Sequence, residues 1–320
     1  LFTTMSFAQV PSYVPANGLV GYWPFSGNAN DISGNGNNGT NNGATLIADR
    51  FGNANSAYNF DGINDLISIP DSNTLSITNN ITMSAWVYVN SDNQNYHSIL
   101  SKRLNGNWSY NLSLSYYFGP GGSPTEVNKV LSGRRNNSGA QLEYKFSNEP
   151  VVFGQWLHIT VKIENNVITF YKNGIDMGVN LYGNQFTIPM INQAIGLTIG
   201  SNGDGGEWFN GKLDDIGIWN RALTDCEIQN LYTSTNPTNT TSETACDSYT
   251  WNGTTYTSSG VYTGTTTNCV TESLDLTITP SSTNTTTATA CDSYLWNGTT
   301  YYASGVYTGT TTNCVTESLD

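Results

Sequence analysis

Along most of the chain, apolar and polar residues alternate in short runs punctuated by Gly, Asn and Asp. The runs are Ala57–Phe60, Asp65–Ile69, Ile81–Val89, Ser98–Ser101, Tyr110–Ser115, Gln141–Phe146, Trp156–Glu164, Val167–Lys172, Ile195–Ile199 and Gly211–Trp219. Period-two alternation sends successive side chains to opposite faces of a strand, so about ten strands are predicted with no helical pattern between them. Such a series reads as a β-sandwich or jelly roll. Asn165-Asn166 joins two runs as a tight hairpin, and Asn173-Gly174 closes the next strand. One helix is predicted at Thr224–Tyr232. Thr224 and Glu227 form a capping box there, with Leu223 and Ile228 at the hydrophobic-staple positions. Cys226 falls within this helix and reads as a small buried apolar residue, with a reactive thiol or an interchain link as the alternatives.

Residues 17–234 therefore read as one sandwich domain, after a leader at 1–16 whose Leu1–Gln9 looks like the tail of a secretory signal. Beyond it the pattern changes. Residues 246–275 and 291–320 are two copies of CDSYxWNGTTYxxSGVYTGTTTNCVTESLD, differing at three positions and offset by 45. Self-similarity at such a period means an array of small units, here repeats at 246–279 and 291–320. The second copy stops where the first runs on into Leu276–Pro280, so a continuation is expected. Asn252-Gly253 and Asn297-Gly298 each mark a two-residue hairpin. Both copies place two cysteines alike, Cys246 with Cys269 and Cys291 with Cys314. Pairing inside each copy would add about 3.4 kcal/mol to a unit too small to bury much core. Pairing of Cys269 with Cys291 across the linker is the other arrangement left open. The connecting segments 235–245 and 280–290 are rich in Thr, Ser, Asn and Pro and read as flexible linkers.

Composition narrows the class. Only 11% of residues are charged, while 32 glycines, 19 tyrosines and 8 tryptophans are present, which favours turns and strands over helices. The net charge is −13, and all 11 Lys and Arg precede Asn236. An acidic chain without a basic stripe argues against nucleic acid as a partner. No apolar run approaches the roughly 20 residues of a membrane-spanning helix, so no transmembrane segment is expected.

Several blocks resemble one family. They are Gly21–Phe25, Asn30–Gly39, Phe60–Asp65, Met83–Val87, Trp156–Val161, Phe170–Gly174, Phe209–Ile216 and Trp219–Leu223. In this order they are similar to a LamG-like jelly roll of the concanavalin A-like lectin/glucanase superfamily. The resemblance implies an all-β, two-sheet jelly-roll β-sandwich, followed here by small disulfide-stapled β repeats. It further implies a secreted or cell-surface binding module for a glycan or an extracellular protein, commonly with a structural calcium. The Thr-rich, two-Cys repeats resemble those of large surface proteins of Bacteroidetes.

Calcium takes six to eight oxygens from carboxylates, amides and carbonyls. Asn28, Asp31 and Asn35 supply such groups, and Asp214 joins them if the ends of the domain meet as the family fold implies; singly, Asn28 and Asn35 read as turn formers. Asp61 and Asp65 are a weaker second pair. No catalytic residue is expected: Glu143, Glu164 and Glu207 are isolated from other acids, and the paired glutamates of a retaining glucanase are missing. His97 and His158 read as structural. For sugar stacking the candidates are Trp108, Tyr116, Tyr117 and Trp208, in or beside the segment 105–135 that reads as a variable loop or long hairpin. Arg134 and Arg135 are its basic doublet for an acidic glycan. The function expected is non-catalytic, calcium-stabilised carbohydrate binding in adhesion. The alternatives are a structural spacer of a surface fibre or an accessory domain of a larger secreted glycoside hydrolase.

Overall fold

A computed structural model of the chain describes residues 9–90, 96–118, 124–135, 142–178, 183–267 and 269–320, with backbone alone for 107, 116–118 and 124–127. Two units are present, Leu1–Thr235 and Asn236–Asp320.

Alternation in the first unit becomes strands β1 (Leu19–Trp23), β2 (Thr40–Asn42), β3 (Thr45–Ile47), β4 (Ala57–Asp61), β5 (Leu66–Ile69), β6 (Ile81–Val89), β7 (His97–Leu104) and β8 (Asn107–Phe118). They continue as β9 (Pro124–Arg135), β10 (Leu142–Pro150), β11 (Trp156–Glu164), β12 (Val167–Lys172), β13 (Ile175–Asp176), β14 (Leu197–Ile199) and β15 (Asn210–Trp219). One sheet has the order β13-β12-β11-β6-β15-β4-β3, with β1 also on β15; the other runs β10-β9-β8-β7-β14-β5-β2. The fold is the expected two-sheet sandwich. Inward residues such as Phe60, Ile67, Met83, Leu112, Ile159 and Leu213 are all but fully buried in one core. At about 25 cal/mol per Å² of apolar surface removed from water, this core dominates the stability of the unit.

β15 organises the first sheet. Its first half pairs with β4, its second half with β1, and its other edge with β6, across an irregularity between Asp214 and Gly217. Two glycines make this possible. A Cβ on Gly21 would lie 2.3 Å from the Trp23 ring, and one on Gly217 would lie 2.4 Å from the Trp219 ring. Each indole lies over the glycine two residues earlier on the same strand face.

Strand bounds at β6, β11 and β12 coincide with the alternating runs. The helix, α1 (Asp225–Thr233), carries the expected capping box, and Ser234 ends it in a left-handed conformation. Of the two readings of segment 105–135, the long hairpin holds: β8 and β9 pair antiparallel within the second sheet. The leader also differs from expectation over its described part. Val14 is buried with Tyr22, Trp219, Leu223 and Ile228 beneath α1, and Trp219 Nε1 donates to the Pro15 carbonyl at 2.7 Å. Residues 1–8 of that leader lie outside the described residues.

The second unit holds β16 (Thr238–Cys246), β17 (Tyr249–Trp251), β18 (Thr254–Tyr256), β19 (Gly260–Thr267) and β20 (Val270–Thr279). The second copy gives β21 (Ser282–Thr286), β22 (Tyr294–Trp296), β23 (Thr299–Tyr301), β24 (Tyr307–Thr312) and β25 (Val315–Leu319). Each copy is one three-stranded sheet and one hairpin. Tyr256–Tyr262 and Tyr301–Tyr307 stack with centroids at 4.0 Å in both. The segments expected to be flexible linkers are strands. β16 pairs in parallel with β20, and β21 with β25. β-branched threonine favours the extended backbone, and the adjacent strand satisfies its peptide groups.

This parallel pairing also overturns the within-copy disulfides. Cys246 stands opposite Thr279 at the end of β20, whereas Cys269 precedes the start of that strand. Ten residues of strand separate them, about 33 Å, against the roughly 7 Å a disulfide allows between Cα atoms. Ser282 follows close after Thr279 and donates to the Cys314 carbonyl at 2.9 Å. Cys246 and Cys314 thus meet, with Cα atoms 5.4 Å apart, and form the disulfide. Cys291 is a free, exposed thiol, which rules out both its expected partners, Cys314 and Cys269. Cys269 and the helical Cys226 are both disulfide-bonded, so Cys226 is not the lone thiol of the chain.

Non-reducing peptide mapping should find Cys246 linked to Cys314 and alkylation at Cys291 alone. A Cys291–Cys314 peptide would contradict the register.

Candidate functional site

The turn after β1 is built around one carboxylate. Asp31 accepts the backbone N–H groups of Tyr22 (3.0 Å), Ser33 (2.8 Å) and Asn37 (2.9 Å), and the Ser33 hydroxyl at 2.9 Å. Asn28 accepts from the Asn30 N–H at 2.8 Å, and Asn35 donates to the Leu19 carbonyl at 2.9 Å. Asn37 ties this turn to the next one, accepting from Ser72 Oγ at 2.6 Å and donating to Thr74 Oγ1 at 3.0 Å.

Beside it a cleft of about 340 Å³ opens between the start of β1, Asn35, the segment 73–80 and Asn220. Asn35, Asn73, Asn79, Asn80 and Asn220 line it together with Thr74, Thr78 and Ser76, and no ionisable side chain takes part. Asn80 accepts from the Asn165 N–H at 2.9 Å, which fixes its position. Asn73, Asn79 and Asn220 are exposed. An amide offers donors and an acceptor on one planar group, the pattern that sugar hydroxyls match. Apart from Asn35, these asparagines were not singled out in the sequence, where they read as turn formers between β5 and β6.

The candidates for sugar stacking have other roles. Trp108 is 4% exposed, held between the Arg103 guanidinium (4.1 Å to the ring) and Tyr144 (5.7 Å between centroids). A Cβ on Gly133 of the neighbouring β9 would fall 2.8 Å from the Trp108 ring, so the indole covers that glycine. Arg134 is 2% exposed, donating to Asn166 Oδ1 and the Ile188 carbonyl over the Phe186 ring. Burial pulls its guanidinium down to about 10. Neither is the exposed stacking or anion-pairing group expected; both fill the second sheet. Trp208 and Arg135 are half-buried, and the side chains of Tyr116 and Tyr117 lie outside the described residues. Glu143 accepts from the Thr187 and Ile188 N–H groups and pairs with Lys145 at 3.0 Å, which together hold its carboxyl low.

A family model described as the concanavalin A-like lectin/glucanases superfamily, of laminin G type, matches residues 60–229. The chain belongs to this superfamily. Among solved structures, domain 4 of the extracellular arabinanase AbnA of Geobacillus stearothermophilus, in complex with arabinotriose, aligns at a TM-score of 0.52 with 19% identity, over 67% of this chain and 98% of that one. The binding domain of Paraclostridial Mosquitocidal Protein 1 aligns at 0.52 with 17% identity, over 68% of this chain and 52% of that one. These likenesses establish the fold alone. Curated relatives match short stretches: adhesion G-protein coupled receptor V1 of Danio rerio is 30% identical over 79 residues, and usherin of Mus musculus 21% over 89. The matches cover 24% and 27% of this chain and only 1% and 2% of those proteins. Among the described residues, no helix is long and apolar enough to cross a membrane.

In this superfamily member Asp214 serves a buried cation. Arg50 Nη1 meets Asp214 Oδ2 at 2.8 Å and Nη2 meets Asp215 Oδ2 at 2.8 Å, with the first pair 6% and 3% exposed. The guanidinium lies 4.3 Å from the Trp86 ring, and Asp215 also accepts from the Tyr22 hydroxyl at 2.7 Å. Burial and the adjacent Asp215 charge raise the Asp214 carboxyl, against the pull of Arg50. Asp31 and Asp214 thus sit in separate networks with their oxygens taken by protein donors, which a calcium ion would have to displace. The Asp31 and Asp214 side chains as held do not fit that ion, and in the second pair Asp61 Oδ1 and Asp65 Oδ2 accept N–H groups of their own turn.

Chelation should therefore leave the melting temperature unchanged. A fall of several degrees with EDTA, restored by calcium, would show that the Asp31 turn rearranges around a cation.

His158 lies beside this cation, its Nε2 2.7 Å from Ser84 Oγ and its ring stacked near Trp86. Burial, then the Arg50 charge, lowers its imidazole from 6.5 to about 3. Below pH 6.5 the unfolded chain gains a proton that the folded chain refuses. Stability is lost as the pH falls, by at most about 1.4 kcal/mol per pH unit. In urea unfolding, His158→Gln should remove this one-proton slope between about pH 6 and 4. An unchanged acid limb would assign the titration elsewhere.

Proposed function

We propose that the chain is a non-catalytic extracellular binding module whose asparagine-lined cleft takes a neutral glycan. The cleft carries this reading: four exposed amides, Asn35, Asn73, Asn79 and Asn220, beside apolar Leu19, Val20 and Ile77 suit a ligand rich in hydroxyls and poor in charge. A neighbour of the same fold was solved with arabinotriose, and others are toxin binding domains, which supports recognition over catalysis. The disulfides, which persist in oxidising compartments, support an extracellular place. The stapled repeats favour a second role beside it, as a spacer.

The test is an array of neutral oligosaccharides probed with the full chain, followed by titration of the best ligand against Asn73→Ala, Asn79→Ala and Asn220→Ala. A hydrogen bond lost from the cleft should weaken binding about fivefold per variant, since such a bond contributes about 1 kcal/mol. Folded protein that binds nothing on the array, or three variants that bind like the parent, would remove this reading and leave the spacer.

A further inference from the structure

The two repeat copies share one topology and the same stacked tyrosine pair, yet their first cysteines differ in state. Cys246 is bonded to Cys314 of the next copy, while Cys291 is a free, exposed thiol. The junction that Cys246 makes is built by more than sulfur. The Asp247 N–H donates to the Thr279 carbonyl at 3.1 Å, the Asp247 carboxylate accepts from the Ser281 N–H at 2.7 Å, and the Ser282 N–H donates to the Cys314 carbonyl at 2.9 Å. These bonds turn the chain out of β20 and lay the second cysteine of the following copy against the first cysteine of the preceding one.

Cys291 and Asp292 stand where Cys246 and Asp247 stand, 45 positions on. Around them lies a cleft of about 380 Å³ lined by Cys291, Asp292, Tyr294, Tyr301, Tyr307 and Leu319. Each is identical to its counterpart in the first copy: Cys246, Asp247, Tyr249, Tyr256, Tyr262 and Leu274. We propose that this surface is a docking end for a further repeat of the same sequence, joined by a disulfide between Cys291 and the second cysteine of that repeat. The occupant follows from the first junction, where Cys246, the counterpart of Cys291, is already bonded to the second cysteine of such a repeat and Asp247, the counterpart of Asp292, holds the chain that leads into it. A second copy of this chain does not meet the need, because its Cys269 and Cys314 are already disulfide-bonded. In forming the bond, the two thiols give up two protons and two electrons to a small-molecule disulfide such as oxidised glutathione, which leaves as two thiols. The exposure of Cys291 makes its sulfur accessible to that exchange.

The test extends the full chain by one copy of residues 276–320 and oxidises both proteins in a glutathione buffer. Each should retain one alkylatable thiol per chain, but its place should move from Cys291 to the first cysteine of the added repeat. Non-reducing digests should then show Cys291 linked to the second cysteine of that repeat. The Cys246–Cys314 peptide in the same digest reports that the array has folded. In the extended chain with Cys291→Ser, both cysteines of the added repeat should stay alkylatable. Closure of the added repeat on its own two cysteines, or a Cys291–Cys291 dimer of the extended chain, would overturn the proposal.

Discussion

A single buried guanidinium sets the outer face of the first sheet. Arg50 arrives on the loop after β3, and its two carboxylate partners, Asp214 and Asp215, are adjacent on β15. It also reaches Ser234 Oγ at 3.2 Å beyond the end of α1, and lies over Trp86 of β6. Trp86 in turn stacks on Tyr232 of the helix at 5.8 Å. Loop, last strand, central strand and helix are therefore pinned to one charge. Removing a charge from water costs several kcal/mol, which paired carboxylates in good geometry offset, so loss of one partner leaves an uncompensated ion. The second anion adds to burial in raising Asp214, while burial and the Arg50 charge keep His158 nearby neutral. That face is closed by α1 and its apolar residues, and the proposed cleft lies on the rim, beside the turn around Asp31 and along the segment 73–80.

The rim in turn depends on strands that hold its turns still. β1 and β15 meet along Gly21↔Ile218 and Trp23↔Ile216, which places Asn220 beside Gly18 and the start of the cleft. Asp31 then serves as an internal cap for its own turn. Four donors on one carboxylate hold this loop together. The asparagines that face solvent are free to vary in hydrogen bonding because Asn37 and Asp31 bear the structural bonds.

Much of this was legible where one period governed one element. Leu157–Glu164 alternates without interruption, and Thr224 with Glu227 announces its helix. Sequence pattern failed where the deciding contact was distant. Trp108 and Arg134 stand among Gly, Ser and Asn and look loop-like; only the pairing of β8 with β9 puts them under neighbouring side chains. Arg50 carried no signal at all, since a lone arginine in a polar stretch gives no sign of two aspartates more than 160 positions away. Asp214 was consequently read as a metal ligand. The threonine-rich segments looked like linkers because composition alone does not distinguish a solvated strand from an extended spacer.

The cysteines show most plainly how register outranks spacing. Identical copies invite pairing within each copy, and the loop-entropy argument supports that choice. Yet a strand that begins at one cysteine and runs parallel to the strand ending at the other keeps them apart by its own length. The same geometry carries the first cysteine of one copy to the second cysteine of the next, so the staple falls between units instead of inside them. In an array whose stability is the sum of weak units and their interfaces, a covalent link at the interface strengthens the term that couples neighbours. Leu274 and Leu276 in the first copy, and Leu319 in the second, give each copy a very small core, and a link that joins two such cores makes their unfolding more cooperative than a link closing each one alone.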